Sequence, residues 1–203
     1  MIKSARLTLA TLVALMSLTA PACAHVGMGA VDTFGHGFWH PLGGLDHMLA
    51  MVAVGLYSAS LGGRALWLVP SAFVGTMVLG GLLGYLAFPL PLVETGIGLS
   101  VIAMGLGVAF SVRLSAMGAM ALVGLFALFH GHAHGTEGMG LVVALLPYAV
   151  GFVIATASLH VAGVALGLGL DRLGTTPSNV LRRVAGTAGA LAGVCILAGW
   201  LAA

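Results

Sequence analysis

Apolar residues run along this chain in stretches longer than a soluble helix needs, and polar residues punctuate them at short intervals. Behind a leader, six stretches cover roughly 42–62, 65–87, 92–112, 115–134, 139–169 and 184–202. Each approaches or exceeds the ~20 apolar residues that carry a helix through a bilayer. The pattern predicts an all-α integral membrane protein, a single bundle of about six transmembrane helices over residues 25–203. The breaks are specific. Gly62-Gly63-Arg64 ends the first stretch, Phe88-Pro89-Leu90-Pro91 separates the second from the third, and Arg113 closes the third. His130 to Gly138 reads as a corner rich in glycine and histidine, and Asp171 to Arg183 as a polar loop. The fifth stretch is too long for one upright span. It is expected to tilt, or to break near Pro147 or at Gly163, Gly167 and Gly169.

The leader has its own pattern. Lys3 and Arg6 precede an apolar run from Leu7 to about Ala20, then Pro21 and Ala22-Cys23-Ala24, an A-x-A cleavage site. Residues 1–24 are therefore expected to be a signal peptide that is removed. A retained first helix and a lipid anchor on Cys23 are the alternatives. The short apolar run counts against the first, and Ala20-Pro21-Ala22 is a poor lead-in for the second. Cleavage leaves five arginines and five acids, which cancel. It leaves one cysteine, Cys195, so neither an intramolecular disulfide nor a multi-cysteine metal site is expected. It also makes His25 the terminus, where an amine beside an imidazole offers a metal-chelating pair or a functionless end.

An N-terminus outside the cytoplasm sends the first span inward. Alternation then puts Arg64, Arg113, Arg172, Arg182 and Arg183 on the cytoplasmic side, as the positive-inside rule requires. The expected location is the bacterial inner membrane, multi-pass, with both mature termini periplasmic.

Composition narrows the function. Hydrophobic residues make up 60% and charged residues 6%, against about 25% charge in a soluble domain. An ordinary globular domain and a disordered chain are both excluded. The expected partner is the lipid bilayer. No nucleic acid is expected, because no basic patch exists to neutralise phosphates, and no nucleotide, because G-x-x-x-x-G-K-[ST] is absent. Glycine pairs four apart (Gly80/Gly84, Gly131/Gly135, Gly163/Gly167, Gly189/Gly193) suit close helix packing in a single bundle. The same motifs would also serve a homo-oligomer face.

A charge at the bilayer centre costs about 2.5–3.5 kcal/mol on insertion scales, so the few polar residues need a reason. His36, His40 and His47 cluster with Asp46 at the outer end of the first span. His130, His132 and His134 cluster with Glu137 at the outer end of the fourth, and Glu94 opens the third on the same side. At about 100° per residue, His40 and His47 fall nearly on one stripe. Pro41 suggests a helix start with His40 as its cap. Asp46 lies off that stripe, free to orient a histidine or to reach a neighbouring helix. His130, His134 and Glu137 share a face, with His132 on the opposite side. Imidazole and carboxylate donors without thiolate suit Ni²⁺, Co²⁺, Zn²⁺ or Cu²⁺. The candidate metal residues are His40, Asp46, His47, His130, His134 and Glu137. His36, Glu94, His132, His160 and His25 are further pathway candidates. A lone intramembrane histidine, by contrast, usually hydrogen-bonds one helix to another.

At His40-Pro-Leu-Gly-Gly-Leu-Asp46-His47 the chain resembles the HupE/UreJ family of nickel/cobalt permeases, whose first mature helix carries H-x5-D-H. Phe129-His130-Gly131-His132-Ala133-His134-Gly135-Thr136-Glu137 is similar to the family's F-H-G-x-A-H-G-x-E. Gly151-Phe152 through Ala155-Thr156 to Leu159-His160 resembles its pattern in that helix, and Glu94 with Ser100 resembles its third helix more loosely. The resemblance covers essentially the whole chain. It implies a secondary permease rather than an enzyme, with Ni²⁺ or Co²⁺ as transported substrate and no permanently bound cofactor. Two alternatives from the residues alone are an intramembrane zinc-dependent hydrolase and a haem protein with two axial histidines.

Overall fold

The apolar stretches fold as helices throughout a computed structural model that describes residues 33–137 and 145–202. Residues 1–24, His25 and the start of the fifth stretch lie outside the described residues. Among the described residues, seven helices follow in order: α1 (Thr33–Gly43), α2 (Leu45–Leu61), α3 (Ala65–Tyr85), α4 (Val93–Ala109), α5 (Ala116–Glu137), α6 (Leu145–Asp171) and α7 (Thr175–Ala202). The protein is all-α, and among the described residues no strand occurs.

Among the described residues, the count of spans differs from the expected six. α3, α5, α6 and α7 are long and apolar enough to cross a membrane, and α1 with α2 makes a fifth span only as a bent pair. α4 has 17 residues, about 25 Å at 1.5 Å per residue, short of the ~30 Å hydrocarbon core. The expected helix start at Pro41, with His40 as its cap, is also corrected. α1 begins at Thr33 and keeps Pro41 inside it. Proline has no N–H for the Gly37 carbonyl four residues back, so the helix weakens one turn before it ends at Gly43. Gly44 is extended (φ −94°, ψ 119°), and α2 leaves at 82° to α1. His40 and His47 therefore stand on two helices, not on one stripe.

Two polar segments read as loops are helical. The corner from His130 continues α5 to Glu137, and α7 starts at Thr175 rather than near residue 184. α6 does not break. Pro147 lies in its first turn, where a missing N–H leaves no intrahelical bond unmade, and the 27 residues run on unbroken.

Packing relies on backbone contact. α3 lies along α5, α4 along α7, and α6 carries both α1 and α2. A Cβ on Gly80 or Gly84 would strike the Leu128 or His132 carbonyl of α5, and one on Gly131 or Gly135 would strike the Met77 or Gly81 carbonyl of α3. Gly55 and Gly163 meet in the same way between α2 and α6, as do Gly105 and Gly186 between α4 and α7. These small-residue pairs serve the interior of the bundle. The core between the helices holds Met51, Val54, Val69, Phe73, Met77, Val101, Met104 and Val123. Leu79, Leu82, Phe110, Leu125, Val161 and Leu166 point outward, an apolar exterior that suits lipid rather than water.

Polar groups inside this exterior satisfy one another. Ser58 and Thr76 hydroxyls donate to carbonyls one turn back, Val54 and Ala72, which keeps them paired where no water competes. At the α6–α7 junction, Arg182 donates to the Asp171 carboxylate and the Gly167 carbonyl, and Ser178 donates to Asp171. The junctions α2–α3, α4–α5 and α6–α7, which carry the arginines, fall at one end of the bundle by alternation. The histidine clusters belong to the other end.

Candidate metal centre

The break at Gly44 makes Asp46 and His47 the first turn of α2, and the uninterrupted α5 holds His130 and His134 one turn apart. α2 and α5 thus bring three imidazoles together. His47 Nε2 stands 3.0 Å from His130 Nδ1 and 2.6 Å from His134 Nε2. All three rings are buried, with His130 at 0% exposure. Phe73 and Phe152 wall them, with ring centroids 5.7 Å from His130 and 4.3 Å from His134 respectively.

The far side of each ring has a hydrogen-bond acceptor. Asp46 Oδ1 lies 3.2 Å from His47 Nδ1, and Glu137 Oε2 lies 3.2 Å from His134 Nδ1. Ser100, from α4, donates its hydroxyl to the Ile97 carbonyl at 2.6 Å. Its lone pairs are then left to accept from His130 Nε2–H at 2.8 Å. A neutral imidazole carries a single N–H. With each N–H turned outward, the nitrogens left holding lone pairs are His47 Nε2, His130 Nδ1 and His134 Nε2, the two of α5 each facing that of His47. Lone pairs facing one another at such distances repel unless a proton or a cation lies among them. Metal-ligating histidines characteristically donate their other N–H to a carboxylate or similar acceptor, which is the pattern found here. Donors about 2.0–2.1 Å from a metal stand roughly 2.9–3.4 Å apart at right-angle to tetrahedral geometry. A cation would fit the His47–His130 spacing as it stands and would spread His47 from His134 by a few tenths of an ångström.

A second donor group adjoins the first and shares His134. His40, His134 and Glu137 offer ligand atoms within 4.8 Å of one another, and the Glu137 carboxylate accepts from His40 Nε2–H at 3.2 Å. Glu137 and His40 are partly exposed and His134 is buried, so this group runs from the surface of the bundle to the buried histidines.

The six principal candidates are thus brought together. The wider set is not. His36 is exposed on α1 and makes no polar contact among the described residues. Glu94 is exposed in the first turn of α4, near enough to feel Asp46, His47 and Glu137 through charge but without a hydrogen bond to any described residue. His132 turns away, as its place on the helical wheel implied, and donates from Nε2 to the Phe88 carbonyl at 2.7 Å. His160 is buried apart on α6, its ring centroid 5.0 Å from that of Phe73. Sequence reasoning named Ser100 only with Glu94, through the loose resemblance of the third helix, and gave it no part in the site. From the residues alone the signal was slight: one hydroxyl on an apolar helix that shares its end of the bundle with the histidines.

No solved structure matches the chain. Over 189 residues, 93% of this chain and 96% of the relative, it is 48% identical to "Protein HupE" of Rhizobium leguminosarum bv. viciae. Residues 13–196 match the family model described as HupE / UreJ protein. With both motifs on helices that meet at one buried site, the chain belongs to the HupE/UreJ family of membrane proteins.

Proposed function

We propose that the protein is a secondary permease that takes up Ni²⁺, or Co²⁺, across the bacterial inner membrane from the periplasmic side. His40, Asp46, His47, His130, His134 and Glu137 form the outer site, and Glu94 and His160 belong to the onward path. The observation that carries this reading is that the buried ring nitrogens of His130 and His134 both face His47 Nε2, while the partners of all three rings lie on their other sides. Dehydrating a divalent ion is costly, and these nitrogens replace water ligands. Three exchangeable imidazoles are also weak enough to let the ion leave, as conduction requires. Bilateral haem ligation would need two imidazoles on opposite sides of a macrocycle, about 4 Å apart across the iron; these donors lie closer and share one side. In this reading the mature termini face the periplasm, and energy comes from an ion gradient or the membrane potential.

The test is radiolabelled Ni²⁺ uptake by cells carrying the wild type or Asp46→Asn, with Co²⁺ and Zn²⁺ as competitors. The reading expects saturable uptake that Co²⁺ inhibits and that Asp46→Asn, which exchanges the carboxylate behind His47 for a neutral amide, cuts by about 10- to 100-fold, the usual effect of altering a ligand's hydrogen-bond partner. Nickel content indifferent to the protein would refute it.

A further inference from the structure

One imidazole at the surface of α1 has no part in the site described above. His36 stands one turn before His40, exposed, with both ring nitrogens unengaged among the described residues. Four residues turn an α-helix by about 400°, so the two side chains lie within roughly 40° of each other. Their Cβ atoms then stand about 5–6 Å apart. This is the i, i+4 placement with which two histidines on one helix hold a zinc ion. The rest of α1 gives the pair a flank of its own. Gly37 and Pro41 are buried, and Gly37 packs on the Tyr148 backbone of α6. Phe34 and Phe38 stack, ring centroids 6.3 Å apart, on one side of that buried stripe. His36 and His40 occupy the other side, where Glu137 of α5 meets His40.

His40 is already oriented as a ligand. It donates Nε2–H to the Glu137 carboxylate at 3.2 Å, so the neutral ring keeps its lone pair on Nδ1. A carboxylate behind a histidine fixes the tautomer and raises the basicity of the nitrogen that binds metal. We infer that His36 and His40, the latter through Nδ1, form an entrance site that takes a hydrated divalent cation before it reaches the buried histidines. The inference rests on the proposed permease function. Two neutral imidazoles suit a borderline cation such as Ni²⁺ or Co²⁺. They leave most of its hydration shell in place and hold it weakly enough to pass it on. The next donors are at hand. The His40 ring centroid lies 4.7 Å from that of His134, and Glu137 accepts from both rings. The ion thus sheds its water in stages, with His40 common to the first two.

The full-length protein tests this by two readouts. In proteoliposomes, His36→Ala should raise KM for Ni²⁺ uptake about three- to tenfold and leave kcat within about twofold, because it removes a contact made before the ion is committed. His36→Gln keeps a polar side chain without an imidazole and should behave as His36→Ala does. The pair itself is read by Ni²⁺ titration in detergent. The background is His25→Ala, His47→Ala, His130→Ala, which removes the buried site and any chelation by a terminal histidine. That protein should still bind Ni²⁺ weakly, and adding His36→Ala should weaken the binding at least about tenfold. Residual binding that survives His36→Ala belongs to His40, His134 and Glu137 alone and overturns the entrance site. A wild-type KM in both His36 variants overturns it as well. If the triple variant does not reach the membrane, the weaker Ni²⁺ equivalent of the His25→Ala protein is read in its place, and its persistence in His36→Ala is equally decisive. A wild type that transports no Ni²⁺ removes the permease reading, while the titration still decides whether the pair binds.

Discussion

Removing the hydroxyl of Ser100 would isolate its role as a positioning residue, because it touches the site only through His130. The hydroxyl is committed to the Ile97 carbonyl and accepts from His130 Nε2–H, and both groups are buried. In Ser100→Ala, His130 has two options. It can keep Nε2–H without a partner, at about 1–3 kcal/mol for a buried unsatisfied donor. Otherwise it can move the proton to Nδ1, where the N–H points at His47 and one ligand is lost. The free protein takes the second arrangement, with Nδ1–H bonded to His47, and binding the ion must return it to the first, so the ion-ready arrangement is disfavoured relative to the free one by a similar amount, which corresponds to about 5- to 150-fold in Ni²⁺ affinity. Titration of purified wild type, Ser100→Ala and Ser100→Thr reads the effect directly. Threonine keeps the hydroxyl and should stay within about threefold of wild type. If Ser100→Ala binds Ni²⁺ as the wild type does while His130→Ala does not, the His130 proton does not sit on Nε2 and the outward-facing N–H arrangement is wrong.

Four other outcomes follow from the same geometry. Imidazole binds metal only through an unprotonated nitrogen, and a free histidine titrates near pH 6.5. A proton thus competes with the ion, and Ni²⁺ affinity should weaken in acid, measured by titration from about pH 7.5 downward; binding that never weakens before the protein unfolds would count against histidine ligation. Glu137→Gln keeps a hydrogen-bond acceptor but loses the charge beside His40 and His134, and should raise KM for Ni²⁺ several-fold, measured in the uptake assay. Gly131→Ala puts a methyl against the Met77 carbonyl and should destabilise the α3–α5 pair by about 1–3 kcal/mol, visible as a lower melting temperature in detergent. His132→Ala removes the bond to the Phe88 carbonyl and should lower stability by about 1 kcal/mol while leaving Ni²⁺ affinity unchanged in titration.

Much of the site was legible because the chain is so apolar. Imidazoles and carboxylates in such a background need partners, and helical spacing alone separates His132 from His130, His134 and Glu137. The glycine pairs read correctly as interior packing. What the sequence concealed were choices between similar energies. A seven-residue spacing of His40 and His47 fits a single helix, but Gly43-Gly44 after Pro41 turns the chain, and the fold then delivers both histidines to one site from two directions. Polar residues 175–183 resemble a loop because nothing local distinguishes a solvated helical turn from one. Ser100 was hidden because most hydroxyls in apolar helices bond only to their own backbone, as Ser58 does. Phe73 was one of eight phenylalanines, and only the contact of its ring with both His130 and His160 sets it apart.

X-ray absorption at the nickel edge, on the Ni²⁺-loaded protein in detergent, bears most directly on the convergence of His47, His130 and His134. Three imidazole nitrogens at about 2.0–2.1 Å are expected, falling to two in His130→Ala. A shell of oxygens alone, unchanged by that substitution, would contradict it.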